Sequence, residues 1–261
     1  MAQSPDTRPQ QPPAPDPQTP LIRIEGLSFH YPGGPPVLQD LNFTLHPGER
    51  VGIIAPNGSG KTTLFHIVMG LLKPTAGTVS IFGRAVRTEE DFGEVRRRVG
   101  LLFQDPDDQL FSPTVLEDVA FGPLNLGRPR DEAVAIARRT LDFLGLSGFE
   151  ERITFKLSGG EKRMVSLAAV LAMEPDVLLL DEPANALDTR TRVKLIEVLQ
   201  RLDLAYVLIS HELEFLTATT DAIYTMDSGR ILLDRELHIH QHVHAHPLGA
   251  RPHEHRHSEE E

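Results

Sequence analysis

Val51-Gly52-Ile53-Ile54-Ala55-Pro56-Asn57-Gly58-Ser59-Gly60-Lys61-Thr62-Thr63-Leu64-Phe65-His66-Ile67-Val68-Met69 reads as a strand, a glycine loop and a helix in succession. Gly58 and Gly60 lack a Cβ, so the backbone between them can curl with its N–H groups inward, and the helix that follows adds its positive N-terminal end to the same spot. A polyphosphate fits such a nest. Lys61 would reach the terminal phosphates as a point charge, and the Thr62 hydroxyl would ligate a magnesium ion bridging them. The first glycine of the usual G-x-x-x-x-G-K-[ST] pattern is Ala55 here, which the loop accommodates if that residue keeps a negative φ. The expected binding loop is therefore Ala55, Pro56, Asn57, Gly58, Ser59, Gly60, Lys61, Thr62 and Thr63.

Downstream, Val177-Leu178-Leu179-Leu180 is a continuous apolar run of the kind buried on both faces of a sheet, and it ends in Asp181-Glu182-Pro183. Two carboxylates at a strand's carboxyl end are costly unless used. Asp181 would hold magnesium, and Glu182 would polarise an attacking water as general base.

Between these elements lies Leu157-Ser158-Gly159-Gly160-Glu161. Ser158 and Glu161 form a capping box opening an amphipathic helix through Met164, Leu167, Ala168 and Leu171. Capping does not explain glycine at the first two helical positions, where each costs ~1 kcal/mol against alanine. Something must approach that backbone closely. Another phosphate is the natural visitor, but the chain's own phosphate loop already has a helix end. A second copy would supply it: in a two-fold dimer, two ATP molecules would sit between the loop of one subunit and the capped helix of the other.

With these residues in order, together with Gln104 and His211, the chain resembles the ATP-binding-cassette (ABC) ATPases over roughly residues 21–236. The resemblance implies an α/β P-loop NTPase with a mixed sheet core, a small antiparallel β subdomain and an inserted α-helical subdomain. It also implies ATP and Mg2+, Gln104 touching the magnesium, His211 at the γ-phosphate, Tyr31 stacked on adenine, and Asp188 crossing the dimer interface. Ser158, Gly159, Gly160 and Glu161 would face the partner's nucleotide. Where the family often has threonine and glycine, this chain has Ala184 and Ala186.

The rest of the chain is consistent with one such unit. Residues 21–45 alternate as strands around the turn at Pro32 to Pro36, Asp131 to Leu146 has helical spacing through Val134, Ala137, Leu141 and Leu144, and Leu195, Val198, Leu199 and Leu202 mark another helix. The absence of cysteine excludes disulfides and thiolate metal sites. A net charge of -11 argues against nucleic acid as partner, and Arg96 to Arg98 reads as a solvated helix end. No apolar run approaches the ~20 residues that cross a bilayer. Residues 1–20 carry seven prolines and almost no apolar side chains, the composition of a mobile tail.

Cargo is addressed by two further stretches. Gln104-Asp105-Pro106-Asp107-Asp108-Gln109-Leu110-Phe111-Ser112-Pro113-Thr114-Val115 and its continuation to Leu126 resemble the energy-coupling-factor importers, in particular their cobalt and nickel branch. In that family this region implies a groove for short helices of a transmembrane partner, with the ATPase peripheral on the cytoplasmic face. Of twelve histidines, eight fall in residues 237–261: His238, His240, His242, His244 and His246, then His253, His255 and His257, at every second position. In an extended chain each set projects to one side, and neutral imidazoles suit Ni2+ or Co2+. A vitamin importer of the same architecture and a soluble metal-sensing ATPase stay open. Repair ATPases with a long coiled coil are disfavoured, since 97 positions without sustained heptads separate Lys61 from Ser158.

Overall fold

The computed structural model describes residues 19–232; the eight C-terminal histidines and most of the proline-rich segment lie outside the described residues. The central sheet has six strands: β3 (Arg50–Ile54), β6 (Val99–Leu102), β7 (Val177–Asp181), β8 (Ala205–Ser210), β9 (Ala222–Asp227) and β10 (Arg230–Leu232). Their order is β10-β9-β3-β8-β7-β6, parallel throughout except for the antiparallel β10 edge. Register explains why distant motifs converge. Ile54 pairs with Ser210 across β3 and β8, and Asp181 pairs with Ile209 across β7 and β8. The phosphate loop, the Asp181-Glu182 pair and His211 thus leave three adjacent strands at the same carboxyl edge, where open α/β sheets bind ligands.

The second sheet is antiparallel, with β1 (Ile22–His30), β2 (Pro36–Leu45), β4 (Ala76–Ile81) and β5 (Arg84–Ala85) in the order β2-β1-β4-β5. Two helices accompany these sheets, α1 (Lys61–Val68) and α2 (Glu89–Arg98). The helical insertion consists of α3 (Val115–Asn125), α4 (Arg130–Phe143) and α5 (Gly159–Leu171), and α6 (Thr189–Arg201) and α7 (Leu213–Thr219) complete the α-helices among the described residues. As the continuous apolar run implied, β7 is buried on both faces. Leu179 joins Ile53, Phe65 and Val207 beneath the antiparallel sheet, while Leu178 and Leu180 pack with Leu141, Val165 and Leu208 beneath the helices.

Local differences from the sequence reading have physical causes. β6 ends at Leu102, and the Phe103 carbonyl beyond it is taken by the Arg163 side chain instead of the sheet. Nor is Arg98 simply solvated: it lies 3.7 Å over the Phe82 ring and pairs with Asp176 at 2.6 Å, anchoring the end of α2.

Candidate functional site

Gly58 and Gly60 both adopt left-handed backbone, with φ of 80° and 95°, while Ala55 is buried and does not. Gly60 has a second reason to be glycine, since a Cβ there would meet Leu38 at 2.8 Å and the Val37 carbonyl at 3.0 Å. Packing from the antiparallel sheet therefore seats the loop. Lys61 begins α1 with its side chain folded back toward the loop, where Nζ donates to Asn57 Oδ1 at 3.3 Å and pairs with Glu182 Oε1. On the other side of Glu182, His211 Nδ1 lies 3.0 Å from Oε2.

Glu182 is 2 % exposed and has φ of +48°, uncommon for a residue with a side chain. Such strain persists where the surroundings over-determine it. Here the Glu182 N–H donates to Ile209 O at 2.9 Å, and its carboxylate is held from both sides. The result is a carboxylate fixed between a cation and an imidazole at the end of the sheet.

Asp181 is the second buried carboxylate. One oxygen accepts from the Thr62 hydroxyl at 2.6 Å, and the other, Oδ1, is buried with no hydrogen-bond partner. Burial pushes its pKa above the ordinary value, against the opposing effects of the Thr62 bond and the Lys61 charge. The Ser59 hydroxyl in the phosphate loop is also buried without a partner. Orphaned buried polar atoms require an explanation. A hydroxyl and a carboxylate side by side are hard oxygen donors of the kind magnesium takes, and the partnerless Asp181 oxygen fits such an ion.

Beside these residues a cavity of about 590 Å3 runs from Thr62, His66 and Asp181 to Gln104, Arg163 and Gly159. The Gln104 side chain is exposed, and its backbone carbonyl is bound by Arg163. Tyr31 is 45 % exposed, stands edge-on to Phe29, and places its hydroxyl 3.2 Å from Thr63 Oγ1, beside the loop.

The capped end of α5 reaches the same cavity through Gly159. Ser158 Oγ accepts from the Glu161 N–H at 3.3 Å, and Glu161 Oε2 accepts from the Ser158 N–H at 2.9 Å, the main reason the Glu161 pKa is lowered. The two glycines differ. A Cβ on Gly159 would meet nothing within 4 Å, whereas one on Gly160 would sit 3.1 Å from Thr191 Oγ1 and 3.4 Å from Asp188 Oδ2. Packing against the start of α6 within the chain thus explains Gly160, and the open face belongs to Gly159. Asp188 caps α6, accepting from the backbone of Arg190 and Thr191 and from the Thr191 hydroxyl at 2.7 Å.

Asn57, expected in the binding loop, steadies Lys61. Arg163 was not singled out from sequence; inside the helix, it reaches the Gln104 backbone. The signal for Arg163 was its place on the face of α5 shared with Leu167 and Val170, where a charge is unusual unless paired. Burial lowers the Arg163 pKa, with Asp105 and Asp181 acting the other way.

Comparison with known proteins agrees with this geometry. A family model described as ABC transporter matches residues 38–185. An energy-coupling factor transporter ATP-binding protein, EcfA, of Methanothermobacter thermautotrophicus is 43 % identical over 218 residues, which cover 82 % of this chain and 70 % of that protein. Among solved structures, cbiO1 from Clostridium perfringens, part of the ABC transporter complex cbiONQ, superposes with a TM-score of 0.75 at 32 % identity, covering 83 % of this chain and 88 % of that one. The ATP-binding cassette MJ0796, a dimer bound to ADP and Pi after hydrolysis, superposes with a TM-score of 0.74 at 27 % identity, covering 80 % and 96 %.

Proposed function

The chain belongs to the ABC transporter family of ATPases, and from that premise we propose that it is the ATP-hydrolysing subunit of a membrane importer for nickel or cobalt ions. The observation that carries the catalytic half is the arrangement of buried Lys61 and Glu182 with the exposed His211, beside Thr62 and the buried Asp181. The histidine-rich C-terminal sequence supports the choice of cargo.

In this reading the loop amides and Lys61 would bind the phosphates of ATP, and Thr62, Asp181 and Gln104 would hold Mg2+. The ion, when bound, neutralises charge developing on the transferred phosphoryl group. Lys61 is paired with Glu182 before it meets phosphate, so a competing anion draws its charge away and leaves the Glu182 carboxylate to orient water. His211 keeps that carboxylate aimed through the second oxygen. Positioning and electrostatics then supply most of the rate. Ser158 and Gly159 complete the cage from a second copy of the chain.

The membrane partner would dock on the far side of Gln104. There Phe111, 66 % exposed, packs edge-to-face with the exposed Phe121 at 4.7 Å, at the rim of a 260 Å3 groove lined by Leu71, Leu101, Gln109 and Met173. Aromatic anchors around an apolar groove suit a short helix of a partner protein. Among the described residues no helix is long and apolar enough to cross a membrane; in this reading other subunits would supply the spanning segments.

Uptake of radioactive Ni2+ and Co2+ by cells expressing this chain with its neighbouring membrane genes tests the reading, comparing parent, Lys61→Ala and a form truncated after Glu236. Uptake that vanishes with Lys61→Ala is the expected result, and loss on truncation would assign the histidines to cargo supply. If neither ion is taken up while ATP is still hydrolysed, the substrate is a vitamin or the ATPase senses metal without transport.

A further inference from the structure

Arg163 is 4 % exposed, yet no step of the proposed hydrolysis uses it. Its guanidinium donates through Nη1 to the Phe103 carbonyl at 2.6 Å and through Nη2 to the Gln104 carbonyl. A planar fork that binds two successive carbonyls fixes both the position and the direction of the backbone between them, which a single ammonium cannot do. Two further side chains reinforce the attachment. Lys162 pairs with Asp107 at 2.5 Å, and Gln109 donates to Ser166 O at 3.0 Å while accepting from the Phe103 N–H at 3.3 Å. Among the described residues, every side-chain hydrogen bond that leaves residues 103–109 ends on α5. None ends on the phosphate loop or α1.

We propose that Arg163 is the positioning residue that fixes the Gln104 backbone to α5, so that Gln104 and the rim of the aromatic groove move with the Ser158-Gly159 end of the same helix and not with the phosphate loop. The proposal rests on the site reading above and adds how its parts are linked. Arg163 lies within two helical turns of Ser158, and helices are stiff over that distance. A displacement of the capped end by a partner's nucleotide is therefore delivered to Gln104 through two carbonyl bonds. Conversely, a helix seated beside Phe111 shifts the Ser158 end by the same route, as reciprocity of coupling requires.

The test uses the full-length chain carrying Arg163→Met, Arg163→Lys or Gln109→Ala. It reads binding of a fluorescent ATP analogue, steady-state hydrolysis, and the Mg2+ concentration giving half-maximal rate. Arg163→Met should lower kcat about tenfold or more through misplacement of Gln104, with analogue affinity held within about twofold and the Mg2+ requirement raised. Arg163→Lys should recover part of kcat, since it reaches one carbonyl. Adding Gln104→Ala to Arg163→Met should cost little more, because both act through one contact. Parallel loss of affinity and kcat, or multiplication of the two effects, would overturn the proposal. If Arg163→Met does not fold, Gln109→Ala decides: it unpins the same segment at Ser166, a smaller fall in kcat at constant affinity is expected, and an unchanged kcat and Mg2+ requirement would overturn the proposal. Failure of the underlying site reading would show separately, as parent-rate hydrolysis in Glu182→Gln.

Discussion

The carboxyl edge of the sheet and the capped end of α5 are both built around polar groups, but they satisfy them differently. At the sheet edge, the charges of Lys61 and Glu182 are buried and paired within the chain. At the α5 end, Ser158 and Glu161 cap each other and Arg152 takes the second Glu161 oxygen at 2.8 Å, while Gly159 faces open space and Phe155 beside them is 73 % exposed. The first region pairs its charges within the chain but leaves Asp181 Oδ1 and the Ser59 hydroxyl without partners, whereas the second leaves an open backbone face at Gly159. In the proposed reading, this difference separates groups that bind nucleotide within one chain from a face that a second copy completes.

The largest effect should come from breaking the sheet-edge region at its reactive group. Glu182→Gln keeps the shape and the His211 contact but removes the charge, and turnover should fall by about 10²–10⁴-fold while ATP still binds, as read by steady-state hydrolysis beside nucleotide affinity. Parent-rate turnover would remove Glu182 from the role of base. Next comes Lys61→Ala, which strips a buried carboxylate of its cation. Denaturant unfolding without nucleotide should show a loss of about 3–5 kcal/mol, whereas a merely solvent-exposed pair would cost under about 1 kcal/mol.

Asp181 sharpens the comparison through pH. Burial raises its pKa in the folded chain above the ordinary 3.8. Its favourable contribution to stability is therefore complete below the unfolded value and disappears as pH rises through the folded one, leaving a buried charge that destabilises the metal-free protein at neutral pH. Asp181→Asn should raise stability at pH 7 by roughly 0.5–2 kcal/mol, with the gain shrinking toward pH 4 and hydrolysis lost. Mg2+ should stabilise the parent more than this variant.

The smallest effects distinguish the two glycines. Gly159→Ala adds a methyl to open space at a helical position, so melting should stay level or rise by up to about 1 kcal/mol in stability, while hydrolysis falls. Gly160→Ala presses on Thr191 and Asp188, so any propensity gain is offset within the chain. If Gly159→Ala left hydrolysis unchanged, the open face would have no partner.

What the sequence revealed follows the same division. The phosphate loop, the Asp181-Glu182 strand end and the Ser158-Glu161 cap were readable because each depends on residues a few positions apart. Convergence of the first two with His211 needed only the parallel strand order. The bond from Arg163 to Gln104 spans 59 positions and that from Lys61 to Glu182 spans 121, so no local pattern encodes either. The same holds for Gly160, whose reason lies in α6, and for Ala186, which takes φ of +58° where the family often has glycine. That position carries strain of ~1–2 kcal/mol that a glycine would relieve.

In the proposed function, two copies of the chain complete each other's nucleotide sites. Sedimentation velocity of the Glu182→Gln chain, with and without Mg2+ and ATP, tests it most directly. The account expects a monomer that becomes a dimer when ATP is added, and reverts when Gly159→Arg is introduced to block the open face. A chain saturated with ATP that sediments as a monomer, or a dimer indifferent to both ATP and Gly159→Arg, would contradict it.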